Sequence, residues 1–244
     1  MEGQSFEKYE VSKSETGHDV DVESVLEKGE IVSVETFEGY FPIKRVTIKD
    51  DGRGIFRPTD IKRNTQNKKL ELRTELELLA VSLDKILGFG LVPTAVSREV
   101  NGEQGTLQKY LEKAKPAAVF WNRWSQLISD LELQKAAVFD FLIEAGDRNL
   151  GNFLIDPERK KVWLIDHDKL MLLGKFYKSF LLTETVAKKL GKIPSDLLES
   201  VAKLLQKIDE LDLNADLEIS GIRARIKERA RTLLRDKEIT RLTI

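Results

Sequence analysis

The chain has 244 residues, 41% hydrophobic and 33% charged, with 40 Lys plus Arg against 41 Asp plus Glu. That length supports a substantial core in one large domain or two small lobes, and the balanced charge gives no global case for nucleic acid as a partner. Zero Cys and two His exclude disulfides and thiolate metal sites and leave zinc almost without ligands. No apolar run approaches the roughly 18 residues of a membrane span. Met1 to Val20 lacks the apolar centre of a secretion signal, so a cytoplasmic location is expected.

Residues 1 to about 30 are charged and weakly patterned, which reads as a loose arm or an edge element. Ile31–Val34, Val46–Ile48 and Ile55–Phe56 then form a small antiparallel sheet, with Asp50-Asp51-Gly52 as a hairpin turn. Gly39 stands alone between the first two strands. No G-x-G-x-x-G or Walker A sequence occurs, so Gly39 reads first as a turn and only weakly as a phosphate loop. Leu72, Leu76, Leu79, Leu83 and Ile86 mark one face of a helix, stopped by Gly88-Phe89-Gly90. Leu91-Val92-Pro93 is extended. Ala95–Ser97 and Gly105–Leu111 read as strands around the Asn101-Gly102 turn.

Beyond Pro116 the pattern becomes helical: Ala117–Leu131 and Leu133–Ala145, then, past Met171, Phe176–Leu190, Ser195–Glu210 and Ala215–Arg235. Strands first and helices later, with a short hairpin between the helices, is a two-lobed α+β order. The expected division is 1–112, an arm plus a β-rich nucleotide-binding lobe, and 113–244, a helical catalytic lobe.

The chemistry concentrates in Gly146-Asp147-Arg148-Asn149-Leu150-Gly151-Asn152, an apolar strand, a short turn, and Val162-Trp163-Leu164-Ile165 ending in Asp166-His167-Asp168. An Asp-x-x-x-x-Asn loop and an acid at the end of the paired strand are the parts of a kinase-type site. Asp147 can orient or deprotonate an attacking hydroxyl, while Asn152 and Asp166 hold Mg²⁺ against a nucleotide's phosphates. Hard oxygen ligands from one loop and one strand end suit Mg²⁺, which keeps waters and phosphates in its shell. His167 has no G-x-S-x-G partner for hydrolase chemistry and reads as a local hydrogen-bonding residue beside the metal. The run Arg223, Arg225, Lys227, Arg229, Arg231 and Arg235 surrounds an apolar stripe of Ile222, Ile226, Ala230 and Leu233, and so reads as a solvated face rather than a binding patch.

Several segments, in order, resemble a phosphatidylinositol-kinase-like group of prokaryotic families related to HipA-type kinases and more distantly to lipid kinases. Phe56-Arg57-Pro58 resembles the strand of the nucleotide lysine, Glu77 to Pro93 the small-lobe helix and its exit, and Gly105 to Tyr110 the hinge. Asp147 to Asn152 and Leu164 to His167 resemble the catalytic and metal loops. The resemblance implies a two-lobed protein-kinase-like fold using ATP and Mg²⁺ (or Mn²⁺). Asp147 would be the catalytic acid, Asn152 and Asp166 the metal ligands, and Asp168 a further carboxylate at the metal. Arg57 would contact phosphate and Glu77 would hold it. The Gln108, Lys109 and Tyr110 backbone would meet the adenine edge.

Two positions depart from the family pattern. Arg57 stands where Lys is expected, with Lys49 or Lys62 as alternative cations, and Asn149 stands where His is common. Arg is a bulkier fork than an ammonium and not an equivalent substitute. The leading expectation is a kinase acting on a hydroxyl of a protein, lipid or small molecule. The alternatives are a pseudokinase serving as a nucleotide- or partner-binding module, and a metal-dependent phosphohydrolase built on Asp147, Asp166 and Asp168.

Overall fold

Alternating apolar positions in the first hundred residues build a five-stranded sheet, in the order β1-β2-β3-β5-β4. The strands are β1 (Ile31–Thr36), β2 (Lys44–Ile48), β3 (Gly52–Pro58), β4 (Ala95–Val100) and β5 (Glu103–Lys109), and every pairing is antiparallel. In the computed structural model, residues 22–37, 43–50, 52–59, 73–168, 170, 179–213 and 221–239 are described. Gly39, Lys62, Leu70 and Leu72 lie outside them, as do residues 1–21, 176–178 and 215–220 of the expected arm and helices.

One sheet face buries Val46, Ile48, Phe56, Val96, Val100 and Leu107 against Leu26 of α1 (Val22–Lys28). A helix therefore replaces the last part of the expected loose arm. Arg98 of β4 secures it, donating to the Leu26 and Gly29 carbonyls at 2.5 and 2.6 Å and so satisfying groups that a helix end leaves unpaired. Gly105 lets β5 run close to β3: a Cβ there would sit 2.3 Å from the Arg57 carbonyl oxygen and 2.7 Å from the Phe56 ring.

The larger core lies around α2 (Arg73–Leu87), whose Leu76, Leu79, Leu83 and Leu87 form a buried stripe at helical spacing. It packs with α3 (Asp130–Leu142), α4 (Phe180–Ala187), α5 (Ser195–Lys207) and α6 (Ile222–Asp236), and with a three-stranded sheet of β6 (Lys115–Pro116), β7 (Phe153–Asp156) and β8 (Lys161–Leu164). Among the described residues no helix is long and apolar enough to cross a membrane.

One expected helix is corrected. Ala117–Gln126 is 3₁₀ rather than α, interrupted at Trp121 with φ 40° and ψ −113°, and α3 starts only at Asp130. The physical reason is a cap inside the expected helix. Ser129 Oγ accepts from the Glu132 amide at 3.2 Å, so the chain is non-helical at Ser129. Ser129-Asp130-Leu131-Glu132 carries the S-x-x-E signature that marks this start.

At the other end of α2, Gly88 is left-handed at φ 69°, and Asp84 Oδ2 accepts from the Val92 amide at 2.9 Å. Leu91 then accepts from the Leu164 amide at 2.8 Å, so Asp84 ties the helix exit to β8. Burial pushes the Asp84 carboxyl up to about 6, against the weaker opposing pull of the Val92 and Leu91 amides. A carboxyl raised on folding holds its proton more tightly in the native state, so its cost is complete above about 6 and fades toward 3.8. Asp84→Asn keeps the acceptor for Val92 and should flatten the fall in melting temperature as pH rises through this window. A slope equal to that of the wild type would show that Asp84 does not titrate there.

Candidate active site

The loops after α3 and β8 meet the end of β3, the central strand of the first sheet, and the inner face of α2. From β3, Arg57 Nη1 reaches Asp166 Oδ1 at 3.1 Å and Glu77 Oε1 at 3.4 Å. Glu77 is 2% exposed and faces inward from α2. Its closest partner is His167, whose amide donates to Oε1 at 2.6 Å and whose Nδ1 lies 3.0 Å from Oε2. An ionised carboxylate only accepts, so Nδ1 carries the proton in this contact. Burial by itself would raise the Glu77 carboxyl. The His167 charge and hydrogen bonds, together with Arg57, outweigh it and lower Glu77 from 4.5 to about 2.

Asp166 has φ 61°, a left-handed backbone that Asp and Asn tolerate better than most residues. Both flanking residues are pinned. The His167 amide is held by Glu77, and the Ile165 carbonyl accepts from Arg148 Nη1 at 2.7 Å. The same Nη1 donates to the Asn152 carbonyl at 2.5 Å. One guanidinium thus clamps the backbone at both expected metal-ligand positions, which the β7–β8 pairing has already made neighbours. Arg148 is buried and paired with Asp140 at 3.0 Å, and Ser179 Oγ donates to that carboxylate at 2.6 Å.

In the catalytic loop, Asn149 Nδ2 donates to Asp147 Oδ1 at 2.9 Å, while Asn149 Oδ1 accepts from the Gly151 amide at 2.8 Å. The residue that departs from the family pattern therefore orients the expected catalytic acid. Asn152 Nδ2 donates to the Asp147 carbonyl at 2.6 Å, which leaves the carboxamide oxygen as its ligand end.

The donor set of Asn152, Asp166 and Asp168 is all hard oxygen, as Mg²⁺ or Mn²⁺ prefers. Among the described residues, the guanidinium groups of Arg57 and Arg73 are the cations paired with the Asp166 and Asp168 carboxylates. The residues present fit a divalent ion held with a nucleotide's phosphates. Among the described residues, no group of three His, Asp or Glu side chains is arranged to hold a metal by itself, so the acid cluster of the phosphohydrolase alternative is not assembled.

The remaining expected positions are more mixed. Lys49 pairs with Glu30 at 3.0 Å on an exposed edge, away from Arg57. Gln108 lies inside β5, flanked by β3 and β4. The Lys109 and Tyr110 amides are already committed to the Thr94 and Arg53 carbonyls at 2.8 and 3.0 Å, so neither N–H is available to an adenine edge. In α6, Lys227 pairs with Asp209 at 2.5 Å, Arg229 with Glu144 at 3.2 Å and Arg235 with Asp236 at 2.7 Å, while Arg223 donates to the Leu211 carbonyl at 2.8 Å. The basic run is largely spent on the protein itself.

The model of the family described as phosphatidylinositol 3- and 4-kinase matches residues 46–228. The chain belongs to this family. Membership makes it a phosphotransferase, and solved kinases share its two-lobed fold. The Golgi casein kinase with Mn and ADP bound aligns at 12% identity and TM-score 0.55, over 88% of this chain and 75% of its own. Hydra Fam20 aligns at 17% identity and TM-score 0.53, over 93% of both chains. The Helicobacter pylori proinflammatory kinase CtkA aligns at 11% identity and TM-score 0.52, over 88% of this chain and 94% of its own. Among curated protein sequences, none matches the chain.

Three site residues escaped the sequence reading: Arg73, Arg148 and Asp140. Arg148 sits inside the Asp147–Asn152 loop, but its partner Asp140 lies on the preceding helix among apolar neighbours, where only its unusual charge is a signal. Truncating Asp140→Ala strands a buried guanidinium and should cost about 3–5 kcal/mol, read by denaturant unfolding. A loss below about 1 kcal/mol would mean the clamp is not held by this pair. For Glu77 the sign is that of a lowered carboxyl: its stabilisation is complete above 4.5 and is lost as pH falls through about 2. Glu77→Gln should lower the melting temperature at neutral pH and remove that acid-limb dependence.

Proposed function

We propose that the chain is an ATP- and Mg²⁺-dependent kinase that transfers a phosphoryl group to a hydroxyl acceptor. The observation that carries this reading is the convergence of Arg57, Glu77 and Asp166 from β3, α2 and the end of β8 onto one cluster. A bound Mg²⁺ or Mn²⁺ would neutralise phosphate charge and bridge the phosphates. A neighbour of the same fold solved with Mn and ADP supports that choice of ligands.

In this reading Asn152 and Asp166 hold the ion, Asp168 adds carboxylate charge beside it, and Arg57 meets phosphate. Glu77 and Arg148 fix the backbone that carries the ligands. Asp147, oriented by Asn149, aligns the acceptor hydroxyl and takes its proton. Adenine is recognised beside Gln108, Lys109 and Tyr110 through carbonyls, or through donors past Tyr110, because the Lys109 and Tyr110 amides are already bonded. The lobes divide near 112, between β5 and β6. A cytoplasmic location and an acceptor among protein, lipid or small-molecule hydroxyls belong to the same proposal.

Incubation with Mg²⁺ and γ-labelled ATP should give label transfer to the chain itself or to an offered acceptor. Asp147→Asn should reduce it by at least about 100-fold while leaving nucleotide-dependent thermal stabilisation in place. Asp166→Asn keeps the left-handed backbone and should abolish the Mg²⁺-dependent part of that stabilisation. Stabilisation without any label transfer would favour the pseudokinase reading, which Arg57 in place of Lys supports. Phosphatase activity without a nucleotide effect would overturn both.

A further inference from the structure

Arg73 belongs to none of the motifs, yet it pairs with two of the candidate metal ligands. Its Nη2 lies 2.7 Å from Asp168 Oδ2 and 3.7 Å from Asp166 Oδ1. Asp166 Oδ1 also receives Arg57 at 3.1 Å. The three side chains Arg73, Asp166 and Asp168 are 13, 28 and 19% exposed, so these charges interact more strongly than they would in open water. A divalent ion cannot share the same carboxylate face with a guanidinium without strong like-charge repulsion. The protein's own cations thus hold the carboxylates that a metal would take.

The backbone beneath Arg73 is anchored while its side chain is long. Thr74 Oγ1 lies 2.7 Å from Thr59 Oγ1 at the end of β3 and 3.2 Å from Thr106 Oγ1 of β5, which fixes the first turn of α2. Rotation of the long Arg73 side chain can therefore release the carboxylates while Thr74 keeps its contacts. Guanidinium groups bind phosphate oxygens in fork geometry at least as readily as carboxylates, so a nucleotide's phosphates offer Arg73 an equivalent partner.

We propose that Arg73 is an exchangeable counter-ion. It holds Asp166 and Asp168 in the nucleotide-free enzyme and passes to nucleotide phosphate on loading, so that metal affinity depends on nucleotide. The inference rests on the metal reading of Asp166 given above.

The test is Mn²⁺ binding to the whole chain, measured from the electron paramagnetic resonance signal of free Mn²⁺, with and without a non-hydrolysable ATP analogue. In the wild type the analogue should tighten Mn²⁺ binding about tenfold, an ordinary coupling between two ligands. Arg73→Ala should bind Mn²⁺ about tenfold tighter without nucleotide and lose most of the analogue's effect. Arg73→Lys, which keeps the charge, should return toward wild type, a rescue that a purely structural role would not produce. Arg73→Gln serves the same comparison as Arg73→Ala if the alanine variant does not fold. Unchanged nucleotide-free Mn²⁺ affinity in the folded uncharged variant would overturn the exchange. Asp166→Asn separates the two claims. Loss of Mn²⁺ binding there upholds the metal site whatever Arg73 does, and wild-type binding there sinks the metal site itself.

Discussion

A buried carboxylate on α2 organises the candidate site. Glu77 reaches across to the loop after β8 and takes both the amide and the imidazole of His167, while also meeting Arg57 from β3. Removing such a charge from water is expensive, and the site makes it tolerable by surrounding it with donors and cations. The cost has a structural consequence. Three separate elements must stay in register, because loss of any one leaves Glu77 buried without full compensation.

Arg148 does complementary work from within the Asp147–Asn152 loop. Its guanidinium holds the Asn152 and Ile165 carbonyls and is itself balanced by Asp140 and Ser179. Asp166 is therefore gripped on both sides, which sustains its left-handed backbone. A phosphoryl-transfer site works mostly by positioning and charge neutralisation, so rigidity of this kind serves the chemistry directly. The softer part of the design is the side-chain charge cluster, where Arg57 and Arg73 offset the Asp166 and Asp168 carboxylates.

Much of the candidate site is legible along the chain because its parts are local. Asp147, Asn152 and Asp166 fall on one loop-hairpin segment, and pairing of β7 with β8 brings the last two together. Glu75 lies on the same helix as Glu77, and periodicity alone does not separate them; burial of Glu77 against His167 does. Arg73 and Asp140 could not be found this way. Their partners lie far along the chain or on another element, and no spacing rule links them.

The same divide holds for the fold and its function. Hydrophobic period and turn residues suffice for the strands, for α2 and for the β-then-α order, because these signals act between near neighbours. The kink at Trp121 and the early cap at Ser129 broke an expected helix, since local hydrogen bonding there outweighs apolar composition. The loops that carry the candidate chemistry were thus legible in the sequence. Which cations face which carboxylates, and which hinge amides are already spent, was decided only when distant segments packed, because buried charge is settled by the neighbours that fold around it.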